Sequence, residues 1–388
     1  MPDTIYCDNA ATTHPKPPAV YDAVLDYMKN IGASPGRSAY GLAVKASRVV
    51  FNAREACARL FNVPDSSRIV FTRGATESIN LALMGILEPG DRVAVTSMEH
   101  NAVMRPLRHL ARTKNIGVTV IPCSEHGFVD EAAFKAAMAA GVSLAIVNHA
   151  SNVCGTIQPL APLAAAAREN GALFMVDAAQ SAGAVPLDVG ATGIDLLAFS
   201  GHKSLYGPQG TGGLYIKEGI DCTPLMFGGT GSRSESDEQP DFLPDKFESG
   251  TMNGPGIAGL GAGVDFVLKT GVDAIREHGK TLTGRFLDHL RDLGDHVAVV
   301  GPHDPAAMLP TVSLNLTAVD AGAAARKLGD EFDICLRTGL HCAPNAHRTI
   351  GTFPKGTLRF SFGFFTTPEE IDSIAEALRS VVLDGESA

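Results

Sequence analysis

Between residues 68 and 217 the chain repeats one pattern seven times, a short apolar run ended by a polar cluster, and few folds accommodate that. The runs are 68–72, 92–97, 117–122, 143–149, 172–177, 195–200 and 212–217. Most are apolar at successive positions. They lack the period of two that marks a strand with one wet face, so they read as strands covered on both sides. Stretches with helical pattern separate most of them, at 77–86, 103–113, 131–140 and 160–169. The gaps 177–195 and 200–212 are poor in helical pattern, which predicts local excursions or a hairpin there. The sum is an α/β architecture, a mostly parallel seven-stranded sheet with helices on both faces.

In such sheets ligands gather beyond the carboxyl ends of the strands. Thr72-Arg73-Gly74-Ala75-Thr76, Glu99-His100, residues 148–152, Asp177-Ala178-Ala179-Gln180 and Ser200-Gly201-His202-Lys203 all follow the ends of runs. Lys203 offers an amine that can form a Schiff base, and Asp177 an acid that can pair with a pyridinium nitrogen. Together they are the set that holds pyridoxal phosphate. Gly74-Ala75-Thr76 opens a helix, whose free amides and dipole suit a phosphate. Each residue alone also has a plainer reading: a solvated lysine, a capping aspartate, a glycine turn with a threonine cap.

A chain of 388 residues is long for one core and suits two domains. The formal net charge of −10 argues against a nucleic-acid or anionic-membrane surface. Met1-Pro2-Asp3-Thr4-Ile5 lacks the regions of a signal peptide, and no apolar stretch reaches membrane-spanning length. The seven cysteines are scattered, odd in number and without a C-x-x-C pair. The expectation is a reducing cytoplasm, with neither a disulfide framework nor a metal site. Residues 228–256 read as a long loop region. A helix over 257–293 with a break at Gly271 is expected next, then strands at 297–300, 311–316, 334–338 and 357–361. A helix over 368–383, capped by Thr367, closes the chain. The expected division is an arm, 1–14, packing with the small domain, a large domain, 15–256, and a small C-terminal α/β domain, 257–388.

Arg359 lies inside the apolar strand candidate 357–361, where a charge is costly without a partner. A bidentate fork for an α-carboxylate is its natural use, and a structural ion pair with a buried acid is the alternative.

Several stretches then occur in one order: Asp8-Asn9-Ala10-Ala11-Thr12-Thr13, Gly74-Ala75-Thr76-Glu77-Ser78-Ile79-Asn80, Glu99-His100-Asn101, Ser151-Asn152-Val153-Cys154-Gly155, Asp177 to Gln180, Ser200 to Lys203, Glu248-Ser249-Gly250-Thr251 and Arg337-Thr338-Gly339-Leu340-His341-Cys342-Ala343. With them the chain resembles, over nearly its whole length, the class V aminotransferase family, and within it the cysteine desulfurases and selenocysteine lyases. The resemblance implies the type I fold of pyridoxal-phosphate-dependent transferases and a homodimer with shared active sites. It implies that Ala75, Thr76, Ser200 and His202 hold the cofactor phosphate, with Thr251 reaching the phosphate of a neighbouring subunit. Asp177 would face the pyridinium nitrogen, Gln180 the ring oxygen, and His100 the ring face with a possible part in proton handling. Lys203 would hold the resting cofactor and then carry the substrate's Cα proton. Arg359, assisted by Asn152, would bind the substrate carboxylate, with Arg337, Asn9 and His341 as further substrate contacts.

Cys342 selects the reaction. An aminotransferase needs no thiol, whereas a desulfurase needs a thiolate to take the substrate's sulfur as a persulfide while alanine leaves. His341 and Arg337 are placed to favour that thiolate. The spacing from Cys342 to Arg359 matches the subgroup with a short, ordered catalytic-cysteine segment. The expected activity is therefore a cysteine desulfurase acting on L-cysteine, with a protein sulfur acceptor as partner. Selenocysteine lyase acting on L-selenocysteine, and an aminotransferase or lyase without sulfur transfer, are the alternatives. Leu340 stands where the pattern has a second histidine, and Pro344-Asn345-Ala346-His347-Arg348 and Phe227 to Arg233 also depart from it.

Overall fold

The structure, a computed structural model, describes residues 4–36 and 40–386. Its centre is a seven-stranded sheet in the order Ile69–Thr72, Gly212–Ile216, Leu196–Ser200, Leu173–Asp177, Leu144–Asn148, Arg92–Thr96, Gly117–Ile121. Only Gly212–Ile216 runs against its neighbours; the other pairings are parallel. Each observed strand lies within a residue or two of its sequence-based bounds.

The uninterrupted apolar runs follow from two-sided burial. Ala145 and Val147 face one core, with Phe61, Phe134, Leu163, Leu260 and Val264 from covering helices. Leu144 and Ile146 face the other, with Ile79, Leu83, Val103 and Leu107. A strand with oil on both faces has no polar position to spend.

The two helix-poor gaps are short connections. Residues 200–212 turn the chain back antiparallel, and 177–195 hold only the four-residue helix Val189–Thr192. Four further helices lie outside the stretches with helical pattern: Pro18–Asp26 and Gly41–Phe61 before the sheet, and Ala321–Phe332 and Pro344–Thr349 near the end.

A second, antiparallel sheet has the order Arg337–Gly339, Thr357–Ser361, Thr311–Leu316, Val297–Val300. Helices Val272–Arg291, Ala321–Phe332 and Pro368–Glu386 close its core through Phe286, Leu328, Ile374 and Leu378. Thr367 Oγ1 accepts from Glu370 N at 3.2 Å and Glu370 Oε2 accepts from Thr367 N at 2.8 Å, a reciprocal cap on the last helix.

Two expectations are corrected. The strand expected over 334–338 is two: Ile334–Cys335 pairs in parallel with Ile5–Tyr6 of the N-terminal segment, and Arg337–Gly339 joins the four-stranded sheet. The change of core does not fall at 256/257. Helix Gly254–Thr270 puts Leu260 and Val264 into the core of the large sheet, and the chain passes to the other core at the helix break, Gly271.

Candidate active site

The register of the large sheet assembles the site. Asp177 lies between Asn148 and Ala198 on neighbouring strands, and Gly212 between Thr72 and Ser200. The polar residues that follow these strands therefore meet at one edge. Gly212 must be glycine because a Cβ there would lie 2.5 Å from Gly74 Cα. That close approach seats the Gly74 turn against the sheet.

Helix Ala75–Ile86 starts at this turn. Ser200 Oγ accepts from Ala75 N at 3.3 Å, so loop and helix start are tied together. Arg73, Gly74, Ala75, Thr76, Ser200 and His202 line one open cleft. Glu77 also borders it, but its Oε2 is taken by Arg73 N at 2.6 Å and Nε at 3.2 Å. His202 Nδ1 is buried without a partner. A helix start, a hydroxyl and an orphaned imidazole nitrogen suit a phosphate.

Lys203 follows His202 in the same loop. Burial lowers its amine to about 8; Asp177 opposes the shift, and Arg359 and Arg337 add to it, while Cys342 opposes it too. These four groups thus lie within electrostatic reach of the amine. Burial raises the Asp177 carboxyl, against the stabilising effects of the Ala179 amide and Lys203. Asp177 Oδ1 accepts from Ala179 N at 2.9 Å, which leaves the other oxygen for a nitrogen-bound proton. His100 caps helix Asn101–Thr113, its Nδ1 accepting from Ala102 N at 3.0 Å. Burial and the cations Lys203, Arg105 and Arg337 lower it to about 4, so the ring is neutral and its proton sits on Nε2. Gln180 Nε2 donates to Ala10 O at 2.9 Å, so one of its two N–H groups is committed to the N-terminal segment.

Arg359 is 1% exposed. Its Nη2 pairs with Asp8 Oδ1 at 2.5 Å and its Nη1 donates to Asn152 O at 2.9 Å, while Nε has no partner. The structure thus realises the ion pair with an acid and leaves one edge of the fork open. Arg337 is directly opposite Arg359 in the antiparallel pair. Like charges facing each other across strands are unfavourable unless an anion lies between them. Asp8 supplies one carboxylate, and the unpartnered Nε leaves room for a second.

The Cys342 segment is pinned to the large sheet at two points. Asn101 N donates to Cys342 O at 2.9 Å, and Asn152 Nδ2 donates to His341 O at 2.7 Å. His341 and Cys342 both have positive φ, 45° and 58°. A non-glycine residue there costs on the order of 1–3 kcal/mol, a strain that clusters at functional sites. Cys342 is exposed, while Ala343 and Ala346 behind it are buried with Met98 and Val153.

Asn9 and His341 both have hydrogen-bond partners within the fold. Asn9 does not point a free amide at a substrate: Nδ2 donates to Tyr6 O at 3.2 Å and Ser361 O at 3.0 Å, and Oδ1 accepts from His14 N at 3.3 Å. It fastens the N-terminal segment to the strand that carries Arg359. His341 does not lend positive charge to Cys342. Burial, with Arg359, His347 and Arg337 adding, lowers it to about 2, and its Nε2 is bonded to Thr357 Oγ1 at 3.1 Å. Thr251 is exposed and lines a cleft with Phe71, Leu225 and Asn253, outside the set around Ser200 and His202. Its loop is anchored by Glu248, which takes Arg54 at 2.7 and 2.8 Å and Phe71 N at 2.7 Å.

Residues 5–374 match the family described as "Aminotransferase class-V". The chain belongs to the class V aminotransferases. A protein of Methanothermobacter thermautotrophicus described as "Probable cysteine desulfurase" is 36% identical over 386 residues, covering 98% of this chain and 95% of that protein. Among solved structures, the apo cysteine desulfurase of Thermococcus onnurineus NA1 superposes with a TM-score of 0.92 at 30% identity, covering 98% of this chain and 95% of that one. The cysteine desulfurase CsdA of Escherichia coli, solved as its S-sulfonic acid, gives a TM-score of 0.88 at 30% identity, covering 97% and 94%. This architecture, a largely parallel seven-stranded sheet with covering helices, is the fold these class V relatives share.

Two residues of the site were not singled out by sequence. Asp8 was legible only as part of the Asp8 to Thr13 stretch, because its partner is at the far end of the chain. Glu99 is fully buried, accepts from Thr96 Oγ1 at 2.7 Å and Asn148 N at 2.9 Å, and burial raises it to about 8, with Asp177 adding to the rise. It is therefore a neutral acid at pH 7, a state that only burial reveals.

Proposed function

We infer that this chain is a pyridoxal-phosphate-dependent cysteine desulfurase that converts L-cysteine to L-alanine and keeps the sulfur on Cys342. The observation that carries the reading is that hydrogen bonds join the Arg359 and Cys342 segments, from the far end of the chain, to Asn152 and Asn101 at the sheet edge where the strands of Asp177 and Lys203 end. The residues present fit the cofactor: the Gly74 cleft for its phosphate, Asp177 for its ring nitrogen, Lys203 for its aldehyde, His100 and Gln180 beside the ring. When bound there, pyridoxal phosphate supplies an electron sink for the substrate's Cα.

The protein's own groups do the rest. Arg359 and Arg337 orient the substrate through its carboxylate, with Asn152 beside them. Lys203, lowered towards neutrality, accepts the Cα proton and returns it. Cys342 Sγ attacks the substrate's sulfur. The new S–S bond forms as the Cβ–S bond breaks, and Cβ takes up a proton, leaving alanine and a persulfide on Cys342. His341 is neutral, so no imidazolium stands beside Cys342.

Incubation of the purified protein with L-cysteine and a reducing thiol tests this reading. Alanine and sulfide are expected in equal amounts; release of a keto acid instead of alanine overturns it. L-selenocysteine run in parallel measures how far the site also accepts selenium.

Arg359→Lys is expected to raise KM for L-cysteine about tenfold or more with a smaller change in kcat, since a point charge cannot reproduce the fork. Steady-state kinetics check this. An unchanged KM would assign Arg359 wholly to its pair with Asp8.

We read the working form as a homodimer in a reducing cytoplasm, with a large cofactor-binding unit and a small unit that carries Cys342 and receives the arm 1–14. Support for the dimer comes from exposed apolar residues, Tyr21, Leu25 and Met28 on one helical stretch, Val44 and Phe51 on the next, and Leu225 to Phe227 beside Thr251. All seven cysteines are free, which fits a reducing compartment. Among the described residues no helix is long and apolar enough to cross a membrane.

A further inference from the structure

Helix Asn101–Thr113 begins at the Cys342 carbonyl and runs away from it. Val103, Met104, Leu107 and Leu110 bury one side of this helix. Arg105, Arg108 and Arg112 form an exposed stripe on the other, at the spacing that stacks side chains along one helical face. Among the described residues none of the three has a hydrogen-bond or ion-pair partner. In a chain of net charge −10, with 42 acidic and 32 basic residues, three adjacent unpaired arginines stand out.

The stripe is one wall of an open groove whose other wall is Pro344 and Asn345, directly after Cys342 and Ala343. Glu99 also borders the groove, but it is fully buried and burial raises its carboxyl to about 8, which disfavours a negative charge there. The exposed Cys342, bonded through its carbonyl to the first residue of the helix and two residues before Pro344, therefore stands at one end of a cationic groove.

We propose that the Arg105–Arg108–Arg112 groove is the docking surface for an acidic acceptor protein that takes the sulfur from Cys342. The proposal rests on the desulfurase reading and names the partner of the same site. In the transfer, a thiolate of the acceptor attacks the outer sulfur of the Cys342 persulfide. A new S–S bond forms on the acceptor, the bond to Cys342 Sγ breaks, and Cys342 leaves as the thiolate. The sulfane sulfur changes hands without any outside oxidant or reductant. An acidic surface seated along the stripe would place its thiol at the groove head, and the charge would speed the encounter.

The test uses two synthetic peptides of equal length, each with one cysteine, set among glutamates in one and among glutamines in the other. Sulfur transfer from the persulfide-loaded protein is followed by mass spectrometry. The glutamate peptide is expected to react at least about tenfold faster at about 0.05 M salt, with the advantage lost at about 0.5 M as screening shortens the range of the charges. The double variant Arg108→Glu/Arg112→Glu should lose the preference while keeping wild-type alanine release with dithiothreitol as acceptor. Arg105 is left in place because its charge reaches His100.

Equal rates for the two peptides overturn the proposal, as does a preference that survives in the double variant. Tighter binding of a single-stranded oligonucleotide than of the glutamate peptide at the same salt also overturns it. Absence of alanine with dithiothreitol defeats the desulfurase reading instead. Fluorescence anisotropy of the labelled glutamate peptide on wild type and double variant then still decides the surface.

Discussion

Cys342→Ala is expected to abolish alanine release from L-cysteine, by at least about a thousandfold, while the protein still takes up pyridoxal phosphate. In the proposed reaction the exposed Cys342 thiol is the sulfur acceptor. Cys7, Cys57, Cys154 and Cys222 are buried, Cys123 is partly buried with its thiol pushed up by burial, and Cys335 is exposed on the short strand Ile334–Cys335, which pairs with the N-terminal segment. The side chain is exposed, so its loss leaves no cavity, and the hydrogen bonds that pin the segment use the backbone of His341 and Cys342. Folding and cofactor uptake, read by the visible absorbance, should therefore match wild type. Retained alanine formation from cysteine would remove the persulfide role. Loss with cysteine but retention with selenocysteine would mark a site that releases selenium without the thiol.

Lys203→Ala is expected to cost at least about a thousandfold in turnover and to leave the cofactor removable by dialysis, because one amine both holds it and moves the substrate proton. The wild-type amine also makes a prediction about pH. Only the neutral form can attack an aldehyde. With the amine lowered to about 8, roughly one molecule in ten is neutral at pH 7, against about one in 2500 for an ordinary lysine. Capture of added pyridoxal phosphate by the stripped protein should thus accelerate from pH 6 and level off above about 8. Borohydride trapping at a series of pH values reads this out. A rate still climbing at pH 10 would mean that Lys203 is solvated and that burial does not tune it.

The two variants separate the parts of the reaction. The lysine change removes the cofactor's attachment, and the cysteine change leaves the cofactor in place and removes only the sulfur acceptor. A protein that failed both would still bind an amino acid at Arg359, visible as a spectral change with L-alanine in the cysteine variant.

Much of this was legible along the chain. The strands of the large sheet read well because two-sided burial makes every position apolar, a signal that needs no knowledge of neighbours. The helices before the sheet read poorly. Gly41–Phe61 has exposed Leu42, Val44 and Phe51 on the side away from its core, which blurs the amphipathic pattern. The 334–338 segment read as one strand because apolar content cannot tell that Ile334 and Arg337 pair with different sheets.

Sequence alone determined the chemistry on offer: a lysine and an aspartate at strand ends, a glycine turn opening a helix, an arginine in an apolar strand and a cysteine between them in order. These are local facts, set by residue type and by short-range pattern. Only the tertiary structure decided how each is used. It turned Asn9 from a substrate contact into a clasp, paired Arg359 with Asp8 across the length of the chain, and held His341 and Glu99 neutral by burial. It also set three arginines along a groove bordered by Pro344 and Asn345, just after Cys342. Desolvation and long-range pairing depend on what the rest of the chain brings close, and no single stretch of sequence contains that.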